Sequence, residues 1–178
     1  MAVYAELKQK LAFLDSLSEL PDMETIFEED FPERYMITLG KPTGNREEHA
    51  MAFTRLTRAL RDRIPILASD RVGVYSDWRL FVPDTELVQA IPMILTEKDG
   101  AERSLMRTIP AGRYVCMYYR NGILEKYDRS FDRLNRYIDE HHYEISGDIL
   151  QIYKVDVTLT DISEETVIVI QVPVTHPS

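Results

Sequence analysis

The sequence predicts an α+β fold in which two β-α-β-β units form one antiparallel sheet, with both helices on one face. The chain resembles itself when it is shifted by 78 positions, and such self-similarity indicates a duplicated structural unit. Each copy contains a strand pattern, an amphipathic helix pattern and two further strand patterns, in that order. The segment 2–19, which lacks Gly and Pro, adds a helix before the first copy.

Length and charge exclude several classes of protein. The 178 residues correspond to one domain or two small ones, and such a chain can bury a core without disulfides or structural metal ions. Its 21 basic and 30 acidic residues give a formal net charge of −9. Because binding to phosphates requires a clustered positive field, this charge argues against direct nucleic-acid contact by this chain.

Cysteine content and the N-terminus indicate a cytoplasmic protein. Cys116 is the only cysteine, which excludes an intramolecular disulfide, and its apolar neighbours indicate a buried core residue rather than a nucleophile. No apolar run approaches the roughly 20 residues of a membrane span. The first residues also lack the order of a signal peptide, so we expect no membrane partner.

The N-terminal helix carries an apolar seam. Its side chains follow the 3-4-3 spacing of a coiled coil: Tyr4, Leu7, Leu11 and Leu14. The seam either packs on the helix's own domain or is the end of a longer dimerisation helix, which would make the chain a homodimer through residues 2–19. We therefore divide the chain into an N-terminal helix (1–20), an acidic linker (21–30) and a duplicated domain (31–178).

The duplication rests on an ordered set of identities. Nine of the 44 positions in residues 32–75 are identical at an offset of 78, where about three are expected from common residue frequencies. The cluster of Phe53, Arg55, Leu56 and Arg58 recurs as Phe131, Arg133, Leu134 and Arg136. The same offset aligns Tyr75 with Tyr153. The two repeats therefore cover about residues 31–98 and 104–175.

Each repeat divides into the same four elements. In the first repeat, strand patterns cover residues 34–39, 72–80 and 87–95, and an amphipathic helix covers residues 47–63. In the second repeat, strand patterns cover residues 112–119, 150–159 and 167–174, and the helix covers residues 124–142. The face opposite the helices, or the seam between the repeats, is then available for a ligand.

The sequence contains no recognisable catalytic or cofactor-binding motif. His141 and His142 are adjacent at the end of the second helix, so they point to different sides and do not form a metal site. We interpret them as cations at a helix C-terminus. We expect no metal, no cofactor, no catalytic residues and no enzymatic activity.

Aromatic residues are the main functional signal. Strand alternation places Tyr114, Cys116 and Tyr118 on one face of a strand, and Tyr119 with its apolar neighbours on the other. A concavity lined by tyrosine rings with an acid nearby suits a lipophilic cation. The alternative is a sheet that uses tyrosine only for its high strand propensity.

Several segments resemble the effector-binding domains of MerR-type multidrug-responsive regulators, of GyrI-like proteins and of AraC-type regulators. They are Phe31-Pro-Glu-Arg-Tyr-Met-Ile-Thr-Leu, Ile109-Pro-Ala-Gly-Arg-Tyr-Val, Gly122 before a helix, Gln151-Ile-Tyr and Ile170-Gln-Val-Pro-Val. The resemblance covers about residues 30–175 and implies the same duplicated β-α-β-β fold. In the MerR-type members, a long helix pairs with its twin, and residues 2–19 resemble its end.

The resemblance implies a domain that senses a small lipophilic or cationic molecule for a bacterial regulator. The candidate ligand-binding residues are Phe53, Tyr75, Trp78, Tyr118, Tyr127, Gln151 and Tyr153. Relatives often carry an acid where this chain has Gln151, and an amide orients a ligand without neutralising a cation. A cationic ligand would then need Asp77, Glu47 or Glu125, and the site could equally prefer neutral ligands.

Two other functions remain open. A GyrI-like hydrolase would use an acid and a ring to position water, here Asp77 with Trp78 or Glu125 with Tyr127. An inhibitor that binds another protein, such as gyrase, would be favoured by the acidic surface.

Overall fold

The computed structural model describes residues 3–5, 7–8, 11–12, 15, 19–20, 22–61, 71–77, 90–120, 129–155 and 167–178. The candidate residues Trp78, Tyr127 and Glu125 lie outside the described residues, as does Leu14 of the seam. Among the described residues, no helix has the length and apolar character needed to cross a membrane.

The predicted fold class is confirmed. The described residues form one nine-stranded sheet: β1 Ile26–Phe31, β2 Arg34–Thr38, β3 Val72–Ser76, β4 Ile91–Thr96, β5 Met106–Ile109, β6 Gly112–Arg120, β7 Glu144–Ile145, β8 Ile149–Val155 and β9 Val167–Thr175. Helix α1 covers Arg46–Ala59, helix α2 covers Arg129–Glu140, and a 3-10 turn covers Arg103–Leu105. The described residues between positions 3 and 15 are helical as well.

The sheet shows the duplication directly. All strand pairs are antiparallel, in the order β1-β6-β9-β8-β3-β4-β2-β5, with β7 on β9. In each repeat the third strand lies between the first and the second. The second strands of the two repeats, β3 and β8, pair with each other at the centre of the sheet. An approximate two-fold axis therefore relates the repeats.

Two short connections join opposite sides of the sheet. Residues 32–33 connect β1 to β2, and residues 110–111 connect β5 to β6. On a flat sheet, six strand spacings of about 4.8 Å would separate β1 from β2 by about 29 Å. Three residue steps, however, reach at most about 11 Å. The sheet must therefore curl until its edges approach each other at this end.

The curled sheet has a concave and a convex face. On the concave face, side chains from opposite edges meet: the guanidinium carbon of Arg34 on β2 lies 4.0 Å from the ring centre of Phe31 on β1. On the convex face, Leu56 of α1 packs with Ile37 and Ile94. Leu134 of α2 packs in an equivalent cluster on the same face. That cluster contains the residues that lie 78 positions after Ile37 and Ile94 in the chain. Both helices thus cover the same face, as the sequence predicted.

One strand departs from the offset of 78. The register of β3 on β4 differs by one residue from the register of β8 on β9, so the structural offset between β3 and β8 is 77. A slip of one residue turns the side chains of a strand to the other face. Tyr75 therefore lies on the concave face and Tyr153 on the convex face, although the sequence alignment equates them.

The expectation of a linker over residues 21–30 is corrected by the structure. Ile26–Phe31 forms strand β1, which pairs with β6, and β5 takes the equivalent place beside β2. Three consecutive acids, Glu28, Glu29 and Asp30, conceal the strand in the sequence. Charged side chains are common on edge strands. The edge of a sheet exposes backbone groups that could pair with another chain, and the charges oppose such pairing.

Both helices end earlier than predicted. Helix α1 ends at Ala59 because Leu60 forms a β-bridge with Ala101 and the amide of Arg61 donates to the carbonyl of Gly100 (2.8 Å). These contacts direct the chain away from the helix axis, so the helix does not continue beyond Ala59.

Helix α2 ends at Glu140 in a Schellman motif. The amide of His142 donates to the carbonyl of Asp139 (3.0 Å), and the amide of Tyr143 donates to that of Ile138 (3.0 Å). His142 has φ of 55°, the left-handed conformation that favours glycine. The carbonyls at the helix end are therefore satisfied at the cost of a strained backbone.

We predict that His142→Gly raises the free energy of unfolding by roughly 0.5–1 kcal/mol, because glycine adopts positive φ without steric cost. Chemical denaturation followed by circular dichroism measures the change. The control is His142→Ala, which keeps the β-carbon and should show no comparable gain. A destabilised glycine variant would contradict the left-handed conformation at this residue.

Candidate ligand-binding site

The concave face carries an aromatic and aliphatic cluster. Its buried members include Tyr75, Met93, Tyr114, Cys116, Leu150 and Ile152. Phe27 and Tyr118 are partly buried and stack with ring centres 5.7 Å apart, and Phe31 meets Tyr114 edge-on at 5.3 Å. Such pairs add roughly 0.5–1.5 kcal/mol each beyond the burial of their surface. The face therefore offers flat rings, some buried and some accessible.

Arg34 links the two sides of the curled sheet. Its guanidinium carbon lies 4.0 Å from the ring centre of Phe31 and 5.2 Å from that of Tyr114. Its Nη1 donates to Oε1 of Gln171 on β9 (2.9 Å). The cation–π contacts stabilise the closed edge by about 0.5–2 kcal/mol. Nε and Nη2 of Arg34 are buried and have no hydrogen-bond partner.

Arg107 reaches the centre of the same face from the edge strand β5. Its Nη1 donates to the hydroxyl of Tyr75 (2.9 Å), and its guanidinium carbon lies 5.7 Å from that ring centre. Gln171, Leu150 and Tyr75 are successive cross-strand partners on β9, β8 and β3. The backbone positions of Gln171 and Tyr75, which the two arginines contact, therefore lie two strand spacings, about 10 Å, apart.

The acids of β1 divide between the two faces. Glu28 and Asp30 point to the convex side, where the Nε and Nη2 of Arg113 donate to the two carboxylate oxygens of Asp30 (3.1 and 3.0 Å). Glu28 accepts hydrogen bonds from the hydroxyls of Tyr137 (2.9 Å) and Tyr143 (3.0 Å). These contacts fix β1 to helix α2 and its C-terminal turn.

The concave face is the more basic one. Alternation in the described strands places Arg34, Arg107 and Arg120 on this face, with Glu29 as the acid from β1. Glu29 is exposed, whereas Arg34 is partly buried. The local balance thus has the opposite sign to the net charge of −9.

Burial suppresses the reactivity of the groups on the concave face. Burial, aided by the nearby charge of Glu29 and opposed by that of Arg34, raises the pKa of Cys116 to about 12. Burial also raises the pKa of Tyr114, an effect that the Arg34 guanidinium opposes.

No group of three His, Cys, Asp or Glu side chains among the described residues is arranged to hold a metal ion.

The structure brings together two of the seven candidate ligand-binding residues. Tyr75 and Tyr118 both belong to the concave cluster. Phe53 packs between helix α1 and the convex face, with its ring 4.8 Å from that of His49. Trp78 and Tyr127 lie outside the described residues.

The amide that we expected to orient a ligand lies on the convex face. Gln151 is 1% exposed, pairs with Val74 and accepts a hydrogen bond from the hydroxyl of Tyr119. Tyr153 faces the same side. The amide on the concave face is instead Gln171, which binds Arg34. Contact between a ligand and Gln151 stays a prediction. In this structure the side chain of Gln151 lies on the convex face, opposite the aromatic cluster.

Sequence reasoning missed Arg34, Arg107 and Gln171. The available signal for Arg34 was Phe31-Pro32, which recurs as Ile109-Pro110 at the offset of 78. These prolines mark the two connections at which opposite edges meet, and Arg34 directly follows the first of them. Arg107 and Gln171 carry no comparable signal, because their contacts depend on how far the sheet curls.

No protein-family model and no curated protein matches this sequence. Solved structures do share its fold. The C-terminal domain of EcmrR has a TM-score of 0.58 and 12% identity, over 86% of this chain and 98% of that one. EcmrR in a complex with DNA has a TM-score of 0.57 and 13% identity, over 99% of this chain and 67% of that one.

Two further structures extend the comparison. A hydrolase from Listeria innocua has a TM-score of 0.58 and 11% identity, over 90% of this chain and 97% of that one. SAV2435, bound to tetraphenylphosphonium, has a TM-score of 0.50 and 9% identity, over 85% of this chain and 94% of that one. At these identities the likeness establishes the fold, and the expected fold of GyrI-like, MerR-type effector-binding domains is confirmed.

We predict that Cys116 of the native protein resists thiol reagents, because its thiol is fully buried and its high pKa suppresses the thiolate. Labelling by a chromogenic disulfide at pH 8 should proceed only as fast as the protein unfolds. In concentrated guanidinium chloride, the same reagent should label one thiol per chain within seconds. Complete labelling of the folded protein on that timescale would contradict the position of Cys116.

Proposed function

We propose that this chain is the ligand-sensing domain of a bacterial transcriptional regulator and binds a small lipophilic molecule on its concave face. The observation that carries the proposal is the cluster of rings around Tyr75, Tyr114 and Tyr118 on the face that the helices leave uncovered. The fold shared with EcmrR, which has been solved on DNA, supports the same assignment. We place this activity in the cytoplasm.

Two groups of the concave face favour binding without catalysis. The thiol of Cys116 is held protonated by burial, and Glu29, the acid that β1 contributes to the concave face, is exposed. A general acid or base works best with a pKa near the working pH and within reach of the substrate. Hydrolysis remains the second candidate, because a protein named as a hydrolase shares the fold.

The N-terminal seam supports a homodimer. Tyr4, Leu7 and Leu11 are 72%, 55% and 54% exposed, which is unusual for large apolar side chains at coiled-coil spacing. A second copy of the same helix would cover them. Ligand binding on the concave face would then favour one arrangement of the paired helices, a shift between pre-existing populations. Contact with DNA would fall to a separate domain, in keeping with the charge of −9.

We predict that the neutral fluorescent probe N-phenyl-1-naphthylamine binds the protein and that Tyr118→Leu weakens this binding roughly two- to tenfold, because the variant loses one ring contact. Fluorescence titration gives the Kd. The matched control is Tyr35→Leu, since the hydroxyl of Tyr35 binds Glu33 (2.6 Å) outside the concave cluster. Absence of binding, or equal losses in both variants, would contradict the proposed site.

We predict that Leu7→Glu converts a dimeric protein into a monomer, because the substitution places a charge in the paired seam. Sedimentation velocity at several protein concentrations measures the change. Ala12→Glu introduces the same charge at an exposed position outside the seam and should remain dimeric. A wild-type protein that sediments as a monomer at all concentrations would rule out the dimer.

A further inference from the structure

Arg34 presents a guanidinium group with two buried nitrogens and makes no ion pair among the described residues. One of its three nitrogens, Nη1, donates a hydrogen bond to the neutral side-chain amide of Gln171. The other two, Nε and Nη2, are buried without a hydrogen-bond partner. Arg113 and Arg133 form ion pairs with acids, whereas Arg34 forms none within the part of the chain that the structure describes. Because buried polar atoms in proteins are nearly always hydrogen-bonded, this pair of donors indicates a missing acceptor.

The two unpaired nitrogens define the shape of that acceptor. Nε and Nη2 lie on one edge of the planar guanidinium group, and this edge binds both oxygens of a carboxylate at once. The chain contains such a pair on its convex face, where the same two nitrogens of Arg113 bind Asp30 at 3.1 and 3.0 Å. The equivalent edge of Arg34 therefore suits a carboxylate that the protein itself does not supply.

The surroundings of Arg34 add an aromatic requirement. The guanidinium group lies near the rings of Phe31 and Tyr114, and a second guanidinium group, that of Arg107, lies near the ring of Tyr75 on the same face. A flat ring would pack against these aromatic side chains while its acidic group reached an arginine. A cationic ligand would have to approach two guanidinium groups, and like charges repel strongly in a partly buried site.

Long-range electrostatics would not produce the same preference. The chain as a whole has a charge of −9 and repels anions in bulk solution. Any preference for an anion must therefore arise locally, from the basic residues of the concave face.

We propose that the concave face selects aromatic carboxylates, with the carboxylate displacing the side chains that cover the Nε–Nη2 edge of Arg34 to bind it and the ring packed beside Tyr75 and Arg107. This inference rests on the proposed ligand-binding function and assigns the chemical class of its ligand. It differs from the cationic ligand that the resemblance implied, because two guanidinium groups, those of Arg34 and Arg107, lie beside the rings of this face.

Three probes with the same ring test the proposal: 2-naphthoate, the neutral 2-naphthamide and the cationic 2-naphthylmethylammonium. Isothermal titration calorimetry at one fixed ionic strength gives the three Kd values for the full chain. We expect 2-naphthoate to bind at least tenfold more tightly than the ammonium compound, with the amide between them. We expect the affinity for 2-naphthoate to fall about tenfold in Arg34→Gln. We expect the same fall in Arg34→Lys, which keeps the positive charge and loses the two parallel N–H donors of the guanidinium group.

Two further variants complete the test. Arg107→Gln alters an exposed side chain, so it carries the experiment if the Arg34 variants fail to fold, and it should reduce the preference for 2-naphthoate over the ammonium compound. Arg133→Gln removes an arginine of the same charge from the convex face, where it pairs with Glu24 (3.4 Å), and should leave all three Kd values unchanged.

The outcomes separate this inference from the proposed function. Equal binding of all probes, tighter binding of the ammonium compound, or an affinity for 2-naphthoate that is insensitive to both arginines would overturn the selection of carboxylates and leave ligand binding intact. If none of these probes binds and N-phenyl-1-naphthylamine does not bind either, both proposals fail.

Discussion

Two connections of two residues each determine the shape of this protein. Residues 32–33 and 110–111 join strands that lie six places apart in the sheet order, so the sheet has to curl. Curling gives the two faces different roles: the convex face is open enough to carry two helices, and the concave face brings side chains from distant strands into contact. The hydrogen bond between Arg34 and Gln171, on strands β2 and β9, exists only because the edges are held together. Proline at the first position of both connections suits them, because it fixes φ and needs no amide partner.

The placement of Arg34 has a cost that the curled sheet offsets. Removing a guanidinium group from water is unfavourable, and a neutral amide compensates for it only in part. The rings of Phe31 and Tyr114 offset a further part of this cost through their negative faces. Because these three residues sit on β2, β1 and β6, their mutual contact also fixes the closed edge. The structural role of Arg34 and its proposed binding role thus coincide in one side chain.

Much of the fold could be predicted from the sequence, because hydrophobic periodicity and the repeat report on local structure and burial. The equivalence of Leu56 and Leu134 held at the offset of 78, and alternation correctly separated Tyr114, Cys116 and Tyr118 from Tyr119. Strand β1 was missed because its acids disguise an edge strand. The site was less accessible to prediction: the face of Gln151 depends on a one-residue difference in register between repeats, and the contacts of Arg34 and Arg107 depend on curvature. Neither property is encoded in local pattern.

That one-residue difference in register makes the two repeats present different side chains on the concave face at the centre of the sheet. At the centre of the sheet, β3 pairs with β8. With the offset of 77, Gly73 is structurally equivalent to Leu150, and Tyr75 is equivalent to Ile152. A molecule lying near the two-fold axis therefore meets a glycine and a ring on one side and two branched aliphatic chains on the other. A strictly symmetric sheet would offer such a molecule two equivalent orientations. In this sheet the two orientations differ, so the shift in register gives a duplicated fold a preferred direction for a molecule at that position.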